Sequence, residues 1–188
     1  MYRKLGGFRL KPVSYSEAVS RWARPERVVL AVSVDESGKP NIIAVGWKMF
    51  TSFSPPMIAI SIGKTRYSHR LISDSGEFVL AVPGEDLAKE VLFCGTRSGR
   101  HVDKFKETGL TPVRASKVKP PLIKECIVNL ECKVRGKLET GDHTIFVGEV
   151  VACWASDNER RNLLLIGDGS GYELILEGRG YRFGVVKK

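Results

Sequence analysis

A chain of 188 residues, 43% apolar and 27% charged, is long enough for one domain with a substantial core and is neither disordered nor membrane-like in composition. Its +9 net charge comes from lysines and arginines scattered among acids, with no nucleic-acid motif beside them, so a nucleic-acid partner is not expected. A positive field of this kind does draw phosphorylated small molecules. No apolar run reaches the roughly 18 residues of a spanning helix. Met1-Tyr2-Arg3-Lys4-Leu5-Gly6-Gly7 starts positively but leads into no apolar stretch, so neither a membrane span nor a secretory signal is expected. The expectation is a single cytoplasmic domain over residues 1–188.

Ser14 followed by Glu17 reads as a capping box opening a short helix over 14–22. Residues 28–34 are a β-branched strand. The turn Asp35-Glu36-Ser37-Gly38-Lys39-Pro40 leads from it as a hairpin into a second strand over 41–51. Pro55-Pro56 marks the boundary before a strand over 57–62. Ser68 is placed to cap a helix that ends near Gly76, and residues 77–82 form another strand. Two more helices are expected over 86–93 and over 101–108, the latter stopping at Gly109.

From 126 to 135 the even positions Cys126, Val128, Leu130, Cys132 and Val134 are apolar, while Asn129, Glu131, Lys133 and Arg135 are polar. That alternation predicts a half-buried antiparallel strand. Glu139-Thr140-Gly141-Asp142 turns it into a more apolar partner over 144–154. Many short strands, few helices and no βα repeat predict a mainly β fold, a barrel rather than a doubly wound sheet.

Cys94, Cys126, Cys132 and Cys153 lack metal-ligand spacing. Cys126 and Cys132, six residues apart in one expected strand, would be about 20 Å apart, too far for a disulfide. The four are expected to be buried thiols. The Gly167-Asp168-Gly169-Ser170-Gly171 run fails the dinucleotide fingerprint because Tyr172 stands where a glycine is required.

Four places carry chemistry. Arg66-Tyr67-Ser68-His69 enters a helix, where free N–H groups, a hydroxyl and a guanidinium suit an anion; the plain alternative is an ordinary cap. Gly95-Thr96-Arg97-Ser98-Gly99-Arg100, with Asp103-Lys104-Phe105 behind it, offers close backbone approach, a hydroxyl and cations, or else a loop with surface charges. Gly46-Trp47-Lys48-Met49-Phe50-Thr51 supplies backbone polar groups beside aromatics that can wall a flat ring, or else pack in a core. His143 follows Gly141-Asp142 at a hairpin tip, where a surface role is the usual one.

In their order and spacing, these pieces, with residues 41–83 and Thr144-Ile145-Phe146-Val147-Gly148-Glu149, resemble the flavin reductase-like family over residues 28–154. The resemblance implies an FMN-binding split barrel of Greek-key type. It implies FMN phosphate contacts from Arg66, Ser68, His69, Arg97, Ser98, Gly99 and Lys104, and ring contacts from residues 46–51 and Ser61, Ile62 and Gly63. His143 would then position a nicotinamide from NADH or NADPH, and the protein would be a homodimeric oxidoreductase that hands electrons to a second acceptor, a small molecule or a redox partner protein. An FMN-binding electron carrier without its own nicotinamide site, or a non-enzymatic basic binding module, are the alternatives.

Overall fold

The computed structural model describes residues 11–167 and 172–187. Helix α1 (Tyr15–Trp22) starts as its sequence requires, with Ser14 Oγ accepting from the Glu17 N–H at 3.1 Å. There follow β1 (Glu26–Arg27), β2 (Val29–Val34), β3 (Pro40–Val45), β4 (Lys48–Phe53), β5 (Pro56–Gly63), α2 (Tyr67–Ser75) and β6 (Glu77–Val82). A 3-10 turn (Glu85–Leu87) runs into α3 (Ala88–Thr96), then α4 (Lys104–Thr108), β7 (Pro112–Val113), β8 (Leu122–Ile123), β9 (Val128–Thr140) and β10 (His143–Ala155). Last come β11 (Leu164–Leu165), β12 (Tyr172–Gly178) and β13 (Tyr181–Val186).

Seven strands make one antiparallel sheet in the order β3-β2-β6-β9-β10-β5-β4. Strands β3 and β4 are consecutive in the chain yet occupy opposite edges of it. The sheet curls until the edges face each other, and Gly46 and Trp47 alone span the gap between them. The Ser61 N–H donates to the Trp47 carbonyl at 2.9 Å and ties that crossing to β5. The result is a mainly β split barrel with a few short helices and a Greek-key rather than sequential strand order. The strand expected over 41–51 is therefore two strands, divided where Gly46 leaves the ladder. A smaller sheet, β1-β11-β13-β12, packs alongside.

Strand β2 is buried at every position, which accounts for its unbroken β-branched run. Val29 and Ala31 face the barrel interior with Ile58, Ile60, Phe78, Leu80 and Phe146. Leu30 and Val32 face a second core under α3, α4 and β13 that includes Val91, Phe105 and Phe183. Gly148 is needed inside the barrel, since a Cβ there would lie 2.7 Å from the Phe78 ring.

Several expectations need correction. Ser68 is not a cap; Arg66 holds the N-cap position and Ser68 lies buried within α2, although the helix does end at a left-handed Gly76. The helix expected over 101–108 begins only at Lys104, with the Asp103 side chain as its cap, and the one expected over 86–93 extends to Thr96. Cys94, Cys126 and Cys132 are buried free thiols, but Cys126 precedes β9 and Cys153 is exposed. Met1-Tyr2-Arg3-Lys4-Leu5-Gly6-Gly7 and most of the glycine run at 167–171 lie outside the described residues. Among the described residues, no helix is long and apolar enough to cross a membrane.

Strand β9 departs most from its pattern. Its polar face is not solvated at Asn129 and Glu131, because residues 111–127 fold over it. Asn129 exchanges two hydrogen bonds with the Ile123 backbone. Glu131, fully buried, accepts from the Ser116 N–H and hydroxyl, the Lys117 N–H at 2.5 Å, the Val118 N–H and the Trp154 indole at 2.7 Å. Burial alone would raise its pKa, but this ring of donors, led by the Ser116 N–H and the Trp154 indole, lowers it below the ordinary 4.5.

A carboxyl whose pKa is lower folded than unfolded contributes its stability above the unfolded value and loses it as pH falls through the folded one. Glu131→Ala should therefore cost about 3 kcal/mol at pH 7, leaving several buried donors unpaired, and the deficit should shrink below pH 4.5. Urea denaturation of both proteins at pH 7 and at about pH 4 checks this.

Candidate functional site

Two clefts, one polar and one more apolar, adjoin and share Ile43, Arg66, Gly95 and Thr96 as a common wall. The polar one, about 200 Å³, lies where α2 begins, between Arg66-Tyr67-Ser68 and the 97–100 loop. The first N–H groups of a helix have no partner within it, and the dipole there favours negative charge. Arg66, Arg97 and Arg100 are exposed on its rim, with the Arg100 guanidinium donating to the Thr65 carbonyl and lying 5.3 Å from the Tyr67 ring centre.

Asn41 projects into the back of this cleft. Its Nδ2 donates to Ser68 Oγ at 2.7 Å, and its Oδ1 is buried without a partner. A Cβ on Gly99 would lie 1.9 Å from that oxygen, so only glycine lets the loop close there. Lys104 is buried beneath, its ammonium donating to the carbonyls of Ile42 at 2.6 Å and Cys94 at 2.7 Å. Burial pulls its pKa down to about 8, which still leaves it mostly charged at pH 7. Two of its three protons are thus committed to holding β3 against α3, and one remains.

The second cleft, about 220 Å³, runs from the barrel split to the small sheet, between β3, β5 and α3 on one side and Leu165, Tyr181 and Phe183 on the other. Gly46, Trp47, Ser61, Ile62 and Gly63 line it as the sequence leads one to expect. His143 lines it too. It is the first residue of β10, paired with Gly63, and its ring lies 4.8 Å from that of Trp47. Its Nδ1 lies 2.7 Å from Asp142 Oδ1, and this contact holds the Asp142 carboxyl below the usual range.

Other expected site residues fall elsewhere. His69 turns toward the barrel wall, with Nε2 2.8 Å from Thr144 Oγ1 and its ring edge-on to Phe146; burial, then Lys137 and Lys64, lowers its pKa. Lys48 and Met49 border a shallow hollow on the far side of β4, with Ala59, Ile60 and Ile145. Phe50 and Thr51 line neither cleft and are exposed, Phe50 at 76%. Beyond Gly46 and Trp47 the chain continues along β4, the outer edge strand paired with β5, and leaves the cleft behind.

Sequence reasoning missed Asn41, Arg24, Glu26, Tyr181 and Phe183. Asn41 left a signal, being a polar residue at the head of an otherwise apolar strand. The others come from distant segments that only the small sheet brings to the cleft.

The Flavin reductase like domain matches residues 22–174. The chain belongs to the flavin reductase-like family. It is similar to an uncharacterised Archaeoglobus fulgidus protein, 49% identical over 127 residues that cover 68% of this chain and 71% of that one. It is also similar to an NADH-dependent FAD reductase of Streptomyces globisporus, 32% identical over 53% of this chain and 54% of the other. Among solved structures it resembles flavoredoxin from Methanosarcina acetivorans, with a TM-score of 0.77 and 27% identity over 97% of this chain and 93% of that one. The split barrel is thus the fold of flavin reductase-like proteins.

Proposed function

We propose that this flavin reductase-like protein is a single-domain, cytoplasmic oxidoreductase that binds FMN, with the phosphate in the polar cleft and the isoalloxazine in the adjoining one. The observation that carries this reading is the shared wall. A cationic, helix-terminal cleft opens directly into a more apolar, glycine-lined one, as a molecule with a dianionic end and a flat aromatic end requires. The unpartnered Asn41 Oδ1 fits as well. An amide turned by half a rotation accepts from the Ser68 hydroxyl and presents its N–H donors beside Gly99, the orientation a phosphate selects.

Bound FMN would supply the redox chemistry, accepting a hydride from NADH or NADPH and releasing electrons to a second acceptor. The chain's own residues bind and orient. Arg66, Ser98 and the α2 N-terminus hold the phosphate, Lys104 adds charge from below, and Gly46 and Gly63 let backbone approach the ring. The likeness to an NADH-dependent FAD reductase supports a nicotinamide donor.

A second reading is favoured by the Trp47–His143 ring pair, which fills the space beside Gly63 where a nicotinamide would stack. In that case the protein is an FMN electron carrier reduced by a partner, in keeping with its likeness to flavoredoxin. Rapid mixing with NADH and NADPH separates the two readings: flavin bleaching at a turnover rate supports the reductase.

The exposed apolar side chains of β4 and the β9–β10 hairpin, Phe53 at 94%, Phe50 at 76%, Leu138 at 59% and Met49 at 57%, fit coverage by a second subunit. Light scattering at micromolar concentration should give a dimer mass; a monomer with flavin bound refutes it.

Two substitutions test the cofactor reading. FMN should bind far more tightly than riboflavin in fluorescence titrations, and Lys104→Ala should weaken FMN binding by about one to two decades, the worth of a hydrogen bond to a charged group. Equal affinity for the two flavins contradicts phosphate anchoring. His143→Ala should leave FMN affinity within a few-fold while raising the nicotinamide KM or slowing flavin reduction about tenfold. Unchanged kinetics would remove His143 from the site.

A further inference from the structure

The floor of the second cleft carries an ion pair that takes no part in the polar cleft beside it. Glu26, at the start of β1, and Arg24 both line this cleft, and Arg24 Nη1 lies 2.6 Å from Glu26 Oε1. The same Nη1 donates to the Ala23 carbonyl at 3.0 Å, so both of its protons are engaged and Nη2 and Nε are the donors left for a ligand. The carboxylate is pressed against the crossing between β3 and β4: a Cβ on Gly46 would lie 2.5–2.8 Å from its atoms. Lys48 closes the far side, its ammonium donating to the carbonyls of Arg27 and Gly46. The Glu26 side chain is only 18% exposed.

Taking a carboxylate and a guanidinium this far out of water carries a desolvation cost, and an apolar pair of similar size would pack there at least as well. A surface ion pair would need no glycine opposite it. Here Gly46 makes the room that the carboxylate occupies, and an acceptor with a guanidinium beside it lines the cleft. That order, donor beside acceptor, complements a ligand edge in which an N–H sits next to a carbonyl.

We propose that Glu26 is a ligand-recognition residue, its carboxylate accepting from the imide N–H of a bound isoalloxazine while Arg24 positions it and donates to the neighbouring ring carbonyl. This rests on the FMN reading above and deepens it. The pair selects a flavin by its pyrimidine edge, independently of the phosphate cleft. The carboxylate also stands against the negative charge that a ring gains on reduction, and so holds the bound flavin's midpoint potential down.

The test is a comparison of FMN with FMN methylated at the imide nitrogen, titrated by flavin fluorescence into wild type, Glu26→Ala, Glu26→Gln and Gly46→Ala. Wild type should prefer FMN by about tenfold, the scale of one hydrogen bond to a charged acceptor. Glu26→Ala should bind both flavins alike, and Glu26→Gln, which keeps an acceptor oxygen, should retain most of the preference. Gly46→Ala, which displaces the carboxylate without deleting it, should lose the preference as Glu26→Ala does. The midpoint potential of bound FMN, measured by spectroelectrochemistry, should move positive in both Glu26 variants. FMN bound with the same preference in wild type and Glu26→Ala overturns this assignment alone. Failure of wild type to bind FMN overturns the FMN reading and this one with it.

Discussion

One segment of chain, residues 40–53, must serve as both edges of a single seven-stranded sheet. Only a sheet rolled nearly into a cylinder lets consecutive strands do this, and only a short crossing joins them. Gly46 and Trp47 are that crossing. The requirement fixes the twist, leaves the barrel split at one place, and puts unladdered backbone at the split. The apolar cleft lies there because a closed ladder would have left no room for it, and the small sheet with β13 supplies its second wall.

The polar cleft depends on a different constraint, the burial of a cation. Lys104 binds two carbonyls, one from β3 and one from the end of α3, and so locks the 97–100 loop over Asn41. Its ammonium is a structural tie and a source of positive potential at once. In a medium of low dielectric the second effect reaches farther than it would at the surface. Glu131 plays the matching role with opposite charge, gathering the backbone of residues 116–118 onto β9.

Much of this was legible in the sequence. The alternation and turn chemistry from 28 to 62 and the long hairpin through Gly141 gave the barrel, and the glycine-arginine loop and the helix start do come together around one polar cleft. What stayed hidden has a physical reason in each case. Alternation in β9 marks two faces but not which of them a loop will cover, so Asn129 and Glu131 read as solvated. Ser68 looked like a cap because local sequence cannot reveal that Asn41, 27 residues earlier, occupies its hydroxyl. His69 follows Ser68 but faces another way, since adjacent helical residues point about 100° apart. Residues 46–51 looked like one wall because the break at Gly46 depends on the opposite edge of the sheet. Glu26 and Arg24 carried no signal at all, being placed by a two-residue strand that exists only through its pairing with β11.

Strand β2 gives alternate side chains to two separate cores, the barrel interior and the layer beneath α3 and α4. Neither core can loosen without pulling side chains of the same backbone out of the other, so the two melt as one cooperative unit although they share no face. Amide hydrogens along β2 would then exchange only through global opening, at a common rate with those of β6 beside it. The β4 edge, with its phenylalanines outside both cores, would exchange through local fraying long before in a subunit without its partner. The molecule thus combines a rigid spine with a yielding rim, and the split with its cleft lies on the boundary between the two.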